Sequence, residues 1–102
     1  MEYKRNTIVI FNGIAQAAFI KVEMVYKDIG APCILTSGMD GTHSEGSLHY
    51  RGLAWDFRIW NVKDVPDLVK RLKKALDPMY YDVVLEGDHI HLEYDPKQRR
   101  GL

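Results

Sequence analysis

The four histidines of this 102-residue chain fall in two short segments, each of which also carries an acidic residue. The first segment, HSEGSLHYRGLAWDF, contains His43 and His49, and Asp56 follows His49 by seven residues. The second segment, EGDHIHLEY, contains His89 and His91. Imidazole nitrogens and carboxylate oxygens are common zinc ligands, and a catalytic zinc site has three protein ligands and an open position for water. The two segments therefore have the residue types of two halves of a zinc site.

The spacing within the first segment suits two ligands on consecutive elements. His49 would lie at the end of a loop, Gly52 would permit a turn, and Asp56 would lie on the strand that follows. His91 can supply a third ligand if its strand is a neighbour of the strand of Asp56. His89 lies on the same face of the strand as His91 and can line the site without binding the metal.

A peptidase built on such a site also needs a general base for the zinc-bound water. Asp88, three residues before His91, is the first candidate, and Glu86 is the second. The same residues also have ordinary explanations, since a His-x-His pair on a strand is commonly an exposed face and Asp56 can pair with a cation such as Arg58. A structural domain with surface histidines and no zinc is therefore an open alternative.

The helices and strands that would position these residues are predicted from the apolar pattern of the chain. Apolar residues recur every three or four positions over residues 11–29, which predicts an amphipathic helix ended by Gly30 and Pro32. Residues 7–11, TIVIF, are predicted as a short strand or as the lead-in to that helix. A second helix is predicted to begin at the capping residue Asp64 and to stop at Asp77-Pro78.

The strands are predicted from apolar runs and from alternation. Residues 33–37 form a short apolar run, and residues 53–59 alternate with a period of two, so Asp56 points away from the large apolar side chains. The segments YYDVVLEG and HIHLEYD predict two strands joined by a tight turn at Gly87-Asp88. The mixture of helices with an antiparallel hairpin predicts an α+β fold.

Length and composition predict one domain over residues 1–102. The chain is 46% hydrophobic and 27% charged, as is ordinary for a globular protein, and its 14 basic and 14 acidic residues cancel. The balanced charge leads us to expect no nucleic-acid or membrane partner. We also expect a monomeric chain. The lone Cys33 allows no intrachain disulfide, and no apolar run is long enough for a signal peptide or a membrane span, so we expect a protein that is cytoplasmic as synthesised.

Two motifs carry a resemblance to a known family. The stretch SLHYRGLAWD, residues 47–56, resembles the S-x-H-x-x-G-x-A-x-D signature of the D-alanyl-D-alanine carboxypeptidase-type zinc peptidases. DHIH, residues 88–91, resembles their second motif, an acid three residues before the last zinc ligand. The longer stretch HSEGSLHYRGLAWD also resembles the amino-terminal signalling domain of hedgehog proteins, which shares the peptidase fold. The likeness covers roughly residues 34–94.

The resemblance implies roles for individual residues and a particular architecture. The zinc ligands would be His49, Asp56 and His91, and His43 would match a histidine near the metal in the hedgehog pattern. The fold would be a small antiparallel sheet with helices packed on one side. The remaining roles fall to the second motif, with Asp88 as general base, Glu86 as its alternate, and His89 beside the metal as a residue that stabilises the transition state.

The implied function is a zinc-dependent peptidase that hydrolyses peptidoglycan stem peptides containing D-amino acids. Both carboxypeptidase and endopeptidase action stay open, and a phage-encoded enzyme that reaches the cell wall after release would fit the expected lack of a signal peptide. The alternative is a non-catalytic, zinc-stabilised, hedgehog-like binding module. It is favoured by Asp40, which stands where the peptidases usually carry an arginine, although Arg51 or Arg58 could take over that role.

Overall fold

A computed structural model of the chain describes residues 1–9, 12–38 and 52–97. Within these ranges the fold is α+β, with helices and strands intermixed along the chain. The elements are β1 (Glu2–Tyr3), α1 (Gly13–Asp28), β2 (Ile34–Ser37), β3 (Ala54–Arg58), α2 (Val65–Ala75), β4 (Tyr81–Glu86) and β5 (His89–Tyr94).

Helix α1 follows the predicted apolar periodicity closely. It begins after Asn12, whose side-chain oxygen accepts a hydrogen bond from the backbone N–H of Ala15 at 2.7 Å. It ends before Gly30, which has a φ of 73° that most other residues adopt only with strain. The side chains of the helix that are buried are Ala15, Ala18, Phe19, Val22, Val25 and Tyr26.

Helix α2 is capped as the sequence predicts. Oδ1 of Asp64 accepts a hydrogen bond from the backbone N–H of Asp67 at 3.0 Å, and the proline lies in the first turn. Leu68, Leu72 and the following Leu76 are buried. In the described part of the chain, neither helix is long and apolar enough to cross a membrane.

The five strands form one mixed sheet in the order β1-β2-β3-β5-β4. Strand β1 runs parallel to β2, and every other neighbouring pair is antiparallel. The prediction of an antiparallel sheet is therefore wrong at this edge. The physical reason is the connection through α1, because a helical crossover between two strands of one sheet brings the second strand back in parallel.

The first residues of the chain also differ from the prediction. Residues 7–9 belong to no helix or strand, and residues 10 and 11, the rest of the predicted TIVIF strand, lie outside the described residues. The strand forms earlier, where Glu2 and Tyr3 pair with Ile34 and Leu35. Two residues are too few for an alternating pattern, so the sequence carried no strand signal there.

Both helices pack on one face of the sheet, as expected. Strand pairing puts Trp55 opposite Leu92 and Phe57 opposite Ile90, and these side chains join the helices in one buried cluster. The ring of Phe19 on α1 meets the ring of Trp55 edge-on, with centroids 5.4 Å apart. The opposite face of the sheet receives the alternate residues of β3 and β5, which are polar except for Ala54.

The buried side chains of the two helices stabilise the packing of the helices on the sheet. We expect Leu72→Ala to lower the free energy of unfolding by about 2–5 kcal/mol, because Leu72 is 1% exposed and its removal leaves a cavity between α2 and the sheet. The exposed Lys70→Ala on the same helix should change it by less than about 0.5 kcal/mol. Urea denaturation of both variants measures the difference, and equal values would show that α2 does not pack as described.

Candidate metal centre

The candidate site lies on the face of the sheet that the helices leave uncovered. In the pairing of β3 with β5, Asp56 stands directly opposite His91 and Arg58 stands opposite His89. His91 was a candidate ligand only if its strand neighboured that of Asp56, and the two strands are adjacent. Strand β5 also has β4 on its other side, which places Glu86 opposite His89.

Asp56 is held from two directions. Its side chain faces β5, and only 8% of the residue is exposed. Its backbone carbonyl accepts a hydrogen bond from the hydroxyl of Thr36 at 3.3 Å, beside an irregularity in the register of β2 with β3. Bulges of this kind often re-aim side chains next to functional sites. The result is a carboxylate that is fixed in position and largely shielded from water.

The imidazole of His91 lies between two carboxylates. Its Nδ1 is 3.0 Å from Oδ1 of Asp56, and its Nε2 is 2.7 Å from Oε1 of Glu93. The hydrogen bond to Asp56 raises the pKa of His91 from 6.5 to about 9, with Glu93 adding to the effect and burial opposing it. Without a metal the ring is therefore protonated at neutral pH and donates to both carboxylates.

Glu86 and His89 complete the cluster around Asp56. Oε1 of Glu86 lies 3.7 Å from Nδ1 of His91 and 3.6 Å from Nε2 of His89. Nε2 of His89 is 3.8 Å from Oδ1 of Asp56. One ligand atom each from Asp56, Glu86 and His89 can be chosen so that all lie within 4.8 Å of one another, a grouping that could hold a metal ion and that shares only Asp56 with the predicted ligand set.

Asp88, the first candidate for the general base, faces the other side of His89. Its Oδ1 is 3.0 Å from Nδ1 of His89, and its side chain is 77% exposed. The hydrogen bond to His89 holds the pKa of the Asp88 carboxyl below its ordinary value. Asp88 thus orients His89 so that Nε2 points toward Asp56, while Glu86 is the acid that lies beside His91.

Glu93 is a member of the cluster that was not predicted from the sequence. It lies two residues after His91 and therefore on the same face of β5. Histidine ligands of metals commonly donate their second ring N–H to a carboxylate, which fixes the ring and raises its basicity. The signal in the sequence was the position of Glu93 two residues after the candidate ligand His91. Its contact with Nε2 of His91 leaves Nδ1 of His91 directed at Asp56.

Asp56 and His91 offer the oxygen and nitrogen donors that zinc takes. Zinc binds such ligands at about 2.0–2.2 Å in tetrahedral geometry, so two ligand atoms of one ion lie roughly 3.3–3.6 Å apart. The separation of 3.0 Å between Nδ1 of His91 and Oδ1 of Asp56 is that of a hydrogen bond, and an ion between the two atoms would have to move them a few tenths of an ångström apart. The predicted third ligand, His49, lies outside the described residues, as do His43, Asp40 and Arg51.

Comparisons of the chain with protein-family models, with curated proteins and with solved structures found no match. The likeness of the two motifs to the zinc peptidases is thus a resemblance of short segments. A proposal about function therefore rests on the contacts among four side chains, those of Asp56, Glu86, His91 and Glu93.

The two carboxylates around His91 make the stability of the metal-free protein depend on pH. The pKa of His91 is about 9 in the folded chain and ordinarily 6.5, so its stabilising contribution is complete below pH 6.5 and is lost as the pH rises through 9. We expect a loss on the order of 2 kcal/mol between pH 6.5 and 10. Urea denaturation of chelator-treated protein across this range measures it.

The matched control for this prediction is His91→Gln. The amino group of Met1, whose pKa is raised by a hydrogen bond with Glu23, titrates in an overlapping range in both proteins and in the same direction. Only the difference between the two proteins therefore reports on His91. Parallel pH profiles would contradict the assigned contacts of His91 with Asp56 and Glu93.

Proposed function

We propose that this chain is a zinc-dependent peptidase that cleaves peptidoglycan stem peptides containing D-amino acids, on a fold of the hedgehog/DD-peptidase type. The observation that carries the proposal is the approach of Asp56 and His91, 35 residues apart in sequence, to 3.0 Å on the face of the sheet opposite the helices. The two motifs that resemble the zinc peptidases contain these same two residues. The substrate class rests on that resemblance.

Asp56, His91 and His49 would hold the metal. Zinc, when bound, would supply Lewis-acid polarisation of the scissile carbonyl and a lowered pKa for its water. Asp56 contributes a buried carboxylate, and Glu93 keeps Nδ1 of His91 directed at the same point by accepting a hydrogen bond from Nε2–H. Loading the site requires the loss of the His91 proton, since only the neutral ring offers a lone pair at Nδ1.

Glu86 is the general base that the positions favour. Its carboxylate lies 3.7 Å from Nδ1 of His91, and its side chain is 51% exposed, so it faces both the ligands and incoming substrate. It can take a proton from the attacking water and return it to the leaving amine. Asp88, by contrast, is engaged with His89 on the side away from Asp56.

His89 is placed to stabilise the negative charge that develops on the substrate oxygen. The contact of Nδ1 with Oδ1 of Asp88 at 3.0 Å fixes the orientation of the ring. Nε2 then faces the centre of the site, where Oδ1 of Asp56 lies 3.8 Å away. A preorganised donor at such a position stabilises an oxyanion more than a mobile one does.

The assignment of the general base is tested by Glu86→Gln and Asp88→Asn. We expect Glu86→Gln to lower kcat for a muropeptide by roughly 10²–10⁴-fold while zinc content is unchanged, because it removes the proton acceptor. Asp88→Asn should lower it only about tenfold through the orientation of His89. Steady-state kinetics with elemental analysis measure both. The reverse ranking would identify Asp88 as the base.

Removal of the metal tests the proposal as a whole. Treatment with a chelator should abolish cleavage of the muropeptide, and added Zn²⁺ should restore it. His49→Ala and His91→Ala should each lose tight zinc binding, measured by elemental analysis after dialysis. Full-rate cleavage by zinc-free protein would refute the proposal.

A second candidate function is a zinc-stabilised binding module without catalysis. The observation that favours it is Asp40, at the position where the peptidases usually carry an arginine. This alternative entails full zinc occupancy, a loss of thermal stability on chelation and no cleavage of any muropeptide. The same chelation experiment therefore separates the two functions, because only the peptidase has an activity to lose.

A further inference from the structure

Strand β4 forms one edge of the sheet, and among the described residues only β5 pairs with it. The opposite edge, β1, is two residues long, whereas β4 pairs with β5 over six consecutive residues without a register shift. Natural proteins usually protect a long edge with a bulge, a proline or a covering element. Residues 81–86 contain neither a proline nor a bulge, so this edge can pair with a further strand.

The backbone contacts of the neighbouring residues determine which groups of β4 point outward. The N–H of Tyr94 donates at 2.8 Å to the carbonyl of the residue before β3, so it points away from β4. Tyr81, which pairs with Tyr94, therefore directs its own backbone groups at the outer edge, and by alternation so do Val83 and Leu85. The N–H of Tyr81 is already donated to the carbonyl of Asp77 at 2.9 Å. In the described chain, Val83 and Leu85 thus each present an N–H and a C=O at this edge.

The side chains at the centre of this edge are apolar and accessible. Val84 is 44% exposed and Leu85 is 47% exposed, while Val83 is buried. A concavity of about 480 Å³ lies along the strand and is lined in part by Val83, Val84 and Leu76, the residue that follows α2. A strand added here would therefore meet both unpaired backbone groups and apolar surface.

A second copy of β4 fits this edge when the two strands run antiparallel with Val84 opposite itself. Val83 then lies opposite Leu85 of the partner subunit, and the reverse pair follows from the two-fold symmetry. The two pairs form four hydrogen bonds, which use every outward N–H and C=O of these residues. The same register keeps the helices of both copies on one face. The exposed side chain of Leu85 thereby joins an apolar layer that continues from one copy into the other.

The charged residues of β4 lie at the two ends of this pairing. Asp82 would lie opposite Glu86 of the partner subunit, and like charges directly opposite each other destabilise a sheet. Nζ of Lys97 lies 2.7 Å from Oδ1 of Asp82 and compensates the acid at this position. A register with Val83 opposite itself would avoid the like charges. It would leave the carbonyl of Leu85 without a donor, because the N–H that it needs is already bonded within the chain.

We propose that the outer edge of β4 is a dimer interface at which a second copy of this chain adds its own β4 and joins the two five-stranded sheets into one. The fit of the edge to itself identifies the occupant, and the inference does not depend on the proposed peptidase function. It departs from the monomer expected from the sequence, where no signal identified the edge strand. One strand pair buries less than the roughly 1,600 Å² of a standard interface, so the dimer is weak. Both candidate metal centres would open on the same face, with their β5 strands about 14 Å apart.

The oligomeric state of the full chain tests the interface. Analytical ultracentrifugation from about 10 µM to about 1 mM compares the wild type with Val84→Lys and with the matched control Ile20→Lys on α1, where the replaced side chain is 60% exposed. We expect the wild type and Ile20→Lys to approach the mass of two copies. Val84→Lys should remain a single chain, because it places two ammonium groups opposite each other. A wild type that stays monomeric throughout, or a Val84→Lys that dimerises equally, would overturn the interface.

A cross-link tests the register and does not depend on the folding of Val84→Lys. Val84 opposite itself is a non-hydrogen-bonded pair with Cα atoms about 4.5 Å apart, within the roughly 4.4–6.8 Å that a disulfide spans. Under mild oxidation Val84→Cys should therefore form a disulfide-linked dimer at least about tenfold faster than Ile20→Cys. Cys33 does not compete, because burial raises the pKa of its thiol to about 12. Equal rates for the two variants would contradict the register and the interface with it.

Discussion

The pairing of β3 with β5 is the constraint on which the site depends. Side chains alternate between the two faces of a strand, so packing Trp55 and Phe57 against the helices forces Asp56 to the opposite face. The same rule on β5 buries Ile90 and Leu92 and turns His91 outward. A slip of one residue in either strand would put a carboxylate or an imidazole into the apolar layer, which is prohibitively costly. The hydrophobic core thus fixes the register, and the register brings the polar residues together.

Electrostatics at the centre of this face link the protonation of His91 to the proposed metal binding. A carboxylate as shielded as that of Asp56 needs a positive partner, and the protonated ring of His91 supplies one in the metal-free chain. A divalent cation would take over the same role at the same place, displacing the proton from Nδ1 while Glu93 still accepts from Nε2. Under the proposed metal binding, a proton and a metal would compete for the same groups, so the affinity for the metal would rise as the pH rises.

Periodicity and capping signals were sufficient to predict both helices, the terminal hairpin and the orientation of Asp56. They were insufficient for β1, because a two-residue strand has no pattern of its own and its parallel pairing follows from the path of α1. The relative positions of Glu86 and Asp88 depend on which way the turn at Gly87, with a φ of 54°, directs each carboxylate. No spacing rule predicts that direction. The contact of Arg58 with Trp60 was likewise unpredicted, since it depends on side-chain rotamers beyond the end of β3.

The position of β5 between β3 and β4 has a consequence for how the protein matures. Asp56 and His91 belong to strands that are separated in sequence by the whole of α2 and β4, so no local fragment of the chain contains the donor pair. The donors meet only after the hairpin has inserted its second strand beside β3, a non-local step that small proteins complete slowly. A partly folded chain would therefore have neither strong metal affinity nor chemistry. Under the proposed metal binding, only the completely folded chain would capture the ion, and the bound ion would in turn stabilise the strand order that creates its site.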